Sequence, residues 1–191
     1  MKPYFYRIGW GIVFVMINIR IGSFDILPDV VGYAMILSGL MGLQRWERAY
    51  AAGKWAASVL AILSIGRLFQ TNDLQLFSNN LETSIIGMLF MLFETLLQML
   101  LIYSICRGTG KLAEHRGMKE MASSAARSWT IYFVCSAATL VTIPFLLNTS
   151  ASGLSVLLLL TMLGGLISML LVILLVRQAG RELQEPLDIS I

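Results

Sequence analysis

Hydrophobic residues in this chain come in long runs, and polar residues collect in the intervals between them. Six runs stand out, at about 4–21, 26–44, 55–69, 85–106, 128–147 and 154–176. A helix needs about 20 predominantly apolar residues to cross the ~30 Å hydrocarbon core of a bilayer. The run at 55–69 is the shortest, and snorkelling by Arg67 with local thinning covers its shortfall. Ten-residue segments of strict alternation, the mark of a membrane barrel, are absent. The pattern predicts an all-α fold: a polytopic membrane helical bundle, one integral membrane domain over 1–191 with six transmembrane helices.

The intervals add detail. Residues 22–25 are too few for anything but a tight turn, so the first two runs form an antiparallel hairpin. Leu74, Phe77 and Leu81 recur at helical spacing within the polar interval 70–84, which predicts a short helix lying on the membrane surface. Residues 107–127 are expected as the longest basic loop, and they hold the only histidine, His115, expected to be solvated. Pro186 ends any helix that continues past 176.

Composition agrees with this class. The chain is 57% hydrophobic and 13% charged, against about 25% charged in a typical soluble domain. The formal charge is only +3, so its placement says more than its sum. With the first residues in the cytoplasm, the inner segments hold Lys2, Arg7, Arg45, Arg48, Lys54, Arg107, Lys111, Arg116, Lys119, Arg127, Arg177 and Arg181. The outer segments then hold Asp25, Asp73 and Glu82, with Arg20 and Arg67 near that side. Excess Lys and Arg in cytoplasmic segments is the expected bias, and it orients the chain with both termini inside. The four tryptophans, Trp10, Trp46, Trp55 and Trp129, fall at the same inner interface. Lys2 and Arg7 before an apolar run resemble a signal peptide, but Asn18 and Arg20 interrupt that run and no small-residue cleavage site follows. The first run is read as a retained span. Three spans followed by three carry inverted orientation, as in some transporters, yet the halves show no internal sequence match.

Several chemistries are disfavoured. Cys106 and Cys135 form neither a disulfide framework nor a metal spacing, and they read as small buried hydrophobes. No His/Cys/Asp set has metal-ligand spacing, no Gly-rich phosphate loop occurs, and no cofactor is implied. The lone histidine lies outside the spans, so no Ser–His or Cys–His pair forms within the membrane, and the chain does not read as an enzyme. No interleaved basic-aromatic face points to nucleic acid. Asn148-Thr149-Ser150 matches a glycosylation sequon of low specificity. Ser38-x-x-x-Gly42 and Gly164-Gly165 with Ser168 are small-residue patches suited to close helix packing.

The candidate ligand-binding residues lie toward the outer side. Arg20 ends the first run, Asp25 and Asp29 open the second, and Arg67 ends the third. Glu94 is deeper, on the order of 14 Å below the outer boundary at ~1.5 Å per residue. A carboxylate near mid-span costs about 2.5 kcal/mol or more and is by default a functional candidate. Asp29, Gly32, Tyr33 and Ile36 share one face of the second run, and Glu94 and Gln98 share one face of the fourth. If those faces meet, they form an outward-opening cleft with Arg20, Asp25, Asp29 and Arg67 at its rim and Tyr33, Glu94 and Gln98 below. The plainer reading is structural. Asp25 or Asp29 caps the second helix, Pro28 suits its first turn, the arginines snorkel, and Glu94 pairs with an arginine or bonds a neighbouring helix.

The stretch Asp25-Ile26-Leu27-Pro28-Asp29-Val30-Val31-Gly32-Tyr33 resembles a D-x-L-P-D-x-x-G-Y segment in a group of small multi-span membrane proteins of Gram-positive bacteria. That resemblance covers about a dozen residues plus the hydrophobic layout. It implies a bacterial cytoplasmic membrane, lends weight to Asp25, Pro28, Asp29, Gly32 and Tyr33, and supplies no activity. Size and threading are also similar to the substrate-binding membrane subunits of energy-coupling-factor vitamin transporters, an analogy without a shared motif. Two functions follow as expectations. One is binding or transport of a small solute or ion through the outer polar cluster. The other is a non-catalytic regulatory or assembly subunit, embedded in the lipid bilayer, that contacts a cytoplasmic protein partner or anionic lipid through residues 107–127.

Overall fold

The computed structural model describes residues 1–16, 27–68, 81–148 and 152–183, with the backbone alone described at 27–28, 67–68, 81–86, 143–148, 152–158 and 162. Six helices fill these segments: α1 (Lys2–Met16), α2 (Leu27–Leu43), α3 (Tyr50–Leu68), α4 (Leu81–His115), α5 (Lys119–Asn148) and α6 (Ser152–Glu182). No strand occurs among the described residues. The run 69–80, where the surface helix through Leu74 and Phe77 is expected, lies outside them.

Each helix packs on the next in sequence, and α6 closes back on α1. Neighbours run antiparallel. Gly39 of α2 lies against Ile8 and Tyr4 of α1, Gly53 of α3 against Ser104 of α4, and Gly180 of α6 against Phe5 of α1. The result is an up-down ring in which α2, α4 and α6 all point the same way. Its core is aliphatic and aromatic, with Phe5, Ile8, Ile36, Leu40, Tyr50, Leu60, Ile102, Ile105 and Val172 essentially inaccessible.

Two of the helices are long and apolar enough to cross a membrane, over Gly87–His115 and Leu159–Glu182. Shorter apolar helices cover Asp29–Leu43 and Tyr50–Gly66. Only 33% and 29% of the two long apolar windows are buried inside the protein. Their outward faces instead present Leu89, Phe90, Phe93 and Leu96 on α4, and Leu159, Leu163, Leu166, Ile167, Leu170 and Leu174 on α6. The core helix of a soluble domain hides such residues, and soluble monomers rarely expose a contiguous apolar surface of this extent.

The expected loop at 107–127 needs correction. α4 continues through Arg107, Lys111 and Glu114 to His115, and α5 begins at Lys119, so only 116–118 turn. Charge ends an apolar run without ending a helix, because Arg, Lys, Glu and Ala are all good helix formers. The break comes from Gly117, with φ +73, the left-handed conformation glycine adopts without Cβ strain. Met118 N–H donates to Ala113 O at 2.9 Å and Gly117 N–H to Glu114 O at 2.9 Å, closing a Schellman motif over carbonyls left unpaired by the helix. α3 likewise starts at Tyr50, one turn before the apolar run at 55, and α6 runs on to Glu182.

Candidate functional site

The sequence places Tyr33 on the same face of α2 as Asp29, and Gln98 on the same face of α4 as Glu94. The structure brings the two lower members together: Gln98 Nε2 donates to Tyr33 Oη at 3.1 Å. Tyr33 is buried and Gln98 half-buried. This bond joins helices that are not neighbours in the ring, since α3 packs between them in sequence order. Gly32 makes the placement possible. It seats α2 directly on the backbone of α1 near Gly11 and Val15, and the next side chain, Tyr33, then turns toward α4.

Helical geometry carries the argument one turn further. α2 and α4 run in the same direction, so Asp29 and Glu94 both lie one turn, ~5.4 Å, toward the helix N-termini from the bonded pair. Each is half-buried. Asp29 also sits in the first turn of α2, where the positive end of the helix dipole stabilises an anion. These four residues occupy two adjacent levels of α2 and α4: Asp29 and Glu94 above, Tyr33 and Gln98 below. Arg20 and Asp25 lie outside the described residues, and Arg67 is described only as part of the α3 backbone.

A second polar cluster, at the opposite end of α4, has no counterpart among the residues singled out from sequence. The Ser104 hydroxyl donates to Ala49 O at 2.7 Å and accepts from Gly53 N–H at 2.9 Å. It thereby braces the first turn of α3, contacting the carbonyl and the N–H between which that turn closes. One turn on, Tyr50 Oη and Thr109 Oγ1 share a buried hydrogen bond of 3.2 Å. Glu47, with a side chain only 12% exposed, accepts from Ala49 N–H at 3.2 Å and lies 3.5 Å from Lys111 Nζ. His115, which ends α4, is 72% exposed and 3.8 Å from Glu47, so its ring is largely solvated. The signal was present in the spacing, for Ser104, Gly108, Lys111 and His115 share one helical face. It was hidden because the apolar run ends at 106 and the face continues beyond it.

These contacts tie the α2–α3 turn to the end of α4, and their removal has a defined cost. Ser104→Ala removes two hydrogen bonds from the start of α3, each worth about 0.5–1.5 kcal/mol. The expected result is a thermal midpoint in detergent lowered by several degrees, read from tryptophan fluorescence. An unchanged midpoint rules out a structural role for this hydroxyl.

The small-residue patches divide. Gly42 packs directly on the Tyr4 ring and Gly164 on Cys135 Sγ, whereas Gly165 has no neighbour within 4 Å of its missing Cβ. Among the described residues no group of three or more His, Cys, Asp and Glu is placed to hold a metal ion. The chain matches no protein-family model, no curated protein and no solved structure.

Proposed function

We propose that the chain is a six-span membrane protein of the bacterial cytoplasmic membrane, with both termini inside, that binds or passes a small cation, protons included, at the Asp29–Tyr33–Glu94–Gln98 layer. The observation that carries this reading is the Gln98–Tyr33 hydrogen bond, which draws α2 and α4 into register and sets two carboxylates one turn above it. Oxygen-rich, anionic surroundings suit hard cations and protons. Asp25, Arg20 and Arg67 belong to the outer rim in this reading, and the arginines steer an accompanying anionic group. The exposed apolar faces of α4 and α6 support the membrane placement. So does the inner position of the aromatic residues, with the Arg177 guanidinium 5.5 Å from the Trp10 ring and Lys54 Nζ 5.7 Å from the Trp55 ring.

The test is flux and binding with the full chain in proteoliposomes, using internal dyes for H⁺, Na⁺ and K⁺ against an imposed gradient. Accelerated dissipation of one gradient, or saturable binding of that ion, is expected. Leakage and binding equal to protein-free vesicles for all three ions removes the reading.

A second reading is favoured by the helical hairpin around Gly117. At ~1.5 Å per residue, α4 exceeds the ~30 Å bilayer core by more than a third, so its end and the start of α5 project from the membrane. A rigid projecting hairpin suits a regulatory or assembly subunit that contacts a cytoplasmic partner through 107–127. Here the polar layer only fastens helices together, and changing Glu94 costs folding and leaves no ion dependence to lose.

A further inference from the structure

We propose that the groove between α4 and α5 is a binding site for the phosphate headgroup of an anionic phospholipid in the inner leaflet, a reading that rests on the membrane placement proposed above. The groove encloses about 310 Å³. Its α4 wall carries Tyr103, Arg107, Lys111 and Glu114, and its α5 wall carries Trp129. Ala122, Ala125 and Ala126 with Gly110 leave the space between the walls open.

Three observations identify the occupant. First, the groove is amphipathic along its length. Tyr103 and Trp129 meet edge-on with ring centroids 5.0 Å apart, and Trp129 also packs on Phe133 at 5.5 Å. On the apolar side of that aromatic pair the surface is Leu96, Leu100 and Phe133, all exposed. On the other side are the cations. A headgroup with acyl chains fits this order, and a wholly soluble anion uses only half of it. Second, Arg107 is poised over the Tyr103 ring at 5.8 Å, and no carboxylate lies within 4 Å of it among the described residues. Lys111, one turn further, is held 3.5 Å from Glu47 and keeps 43% of its side chain exposed. Glu114 is seven residues from Arg107, ~10 Å along the helix, which leaves the aromatic end as the electropositive one. Third, the aromatic pair marks the level where amphipathic rings sit at a bilayer interface, so Arg107 falls among the headgroups rather than in bulk water.

A planar guanidinium held over a ring can bind a phosphate with two N–H groups, and each basic residue at an anionic leaflet contributes about fivefold in affinity. Ala126 is exposed on the groove wall, so a larger side chain there fills the site without entering the core.

The experiment is native mass spectrometry of the full chain released from detergent, titrated with phosphatidylglycerol or phosphatidylcholine of matched chains, beside glycerol 3-phosphate alone. Phosphatidylglycerol is expected to bind at least fivefold more tightly than phosphatidylcholine. Arg107→Gln and Ala126→Phe are each expected to abolish that preference while leaving phosphatidylcholine retention unchanged. Arg107→Lys, which keeps the charge without the planar fork, is expected to retain part of it. Equal retention of the two lipids overturns the proposal. So does glycerol 3-phosphate binding as tightly as the lipid, or a defined protein that occludes the groove and is released by Ala126→Phe. Carbonate extraction of the same membranes separates the two levels of the argument. A chain stripped off by carbonate fails the membrane reading, whereas a chain that stays in the membrane but shows no lipid preference fails only the headgroup site.

Discussion

Replacing Gly32 with valine is expected to destabilise the protein by about 3 kcal/mol or more, the largest effect of any single apolar substitution proposed. A Cβ at Gly32 falls 2.8 Å from Gly11 O and 2.7 Å from Val15 Cγ2; one at Gly11 falls 2.6 Å from Gly32 O. The obstruction is backbone on both sides, so no rotamer change relieves it, and α1 and α2 must move apart. That separation removes van der Waals contact along the whole hairpin, where Gly39 and Gly42 make equally close approaches to Ile8 and Tyr4. In the proposed membrane setting no hydrophobic gain remains to hold two helices together, and close packing of small residues carries the association. It also shifts Tyr33 away from Gln98, so their hydrogen bond is lost with the packing. The control is Gly165→Ala, where nothing lies within 4 Å and alanine's higher helix propensity applies. Thermal melts in one detergent should show Gly32→Val far below the parent and Gly165→Ala at or slightly above it. Equal midpoints for the two variants are incompatible with a backbone-limited α1–α2 contact.

What the sequence makes legible depends on the range of the interaction. The helical class follows from local runs of apolar residues, a signal that needs no tertiary detail. The Asp29/Tyr33 and Glu94/Gln98 faces follow from the 3.6-residue period, which is also local. Whether those faces meet depends on how closely α2 can approach α1, and that depends on Gly11 and Gly32, residues ~20 apart whose pairing no periodicity announces. The inner cluster escaped for a related reason. Ser104 looks like a small residue in an apolar span until the N–H of Gly53 is known to face it. The turn at Gly117 was concealed by charge: Arg107 to Arg127 reads as a loop by polarity, and as a helical hairpin once propensity and one left-handed glycine are weighed separately.

Glu94→Gln and Asp29→Asn are expected to reduce cation binding or flux by tenfold or more each, with thermal midpoints close to the parent. The neutral amides keep size and hydrogen-bonding capacity, so the packing around α2 and α4 survives, while each removes one charged acceptor, worth about 1.5–3 kcal/mol. By the usual conversion that is roughly ten- to a hundredfold in affinity. In the proposed reading both carboxylates, one turn above the same hydrogen-bonded pair, serve one site, and their effects should not add. The double variant is expected to lose little beyond the worse single one, as groups acting on one ligand do. Tyr33→Phe supplies the contrast. It leaves the Gln98 amide without its partner, at about 1 kcal/mol, but removes no charge, so it should lower the midpoint more than it lowers affinity. Unfolding of the chain by Glu94→Gln, with Tyr33→Phe also destabilising, identifies the layer as a structural staple and favours the projecting hairpin as the functional part. If both single variants fold and move ions as the parent does, neither carboxylate is a ligand. The charge at Glu94 then has only its structural contacts to offset the cost of burying it in a span.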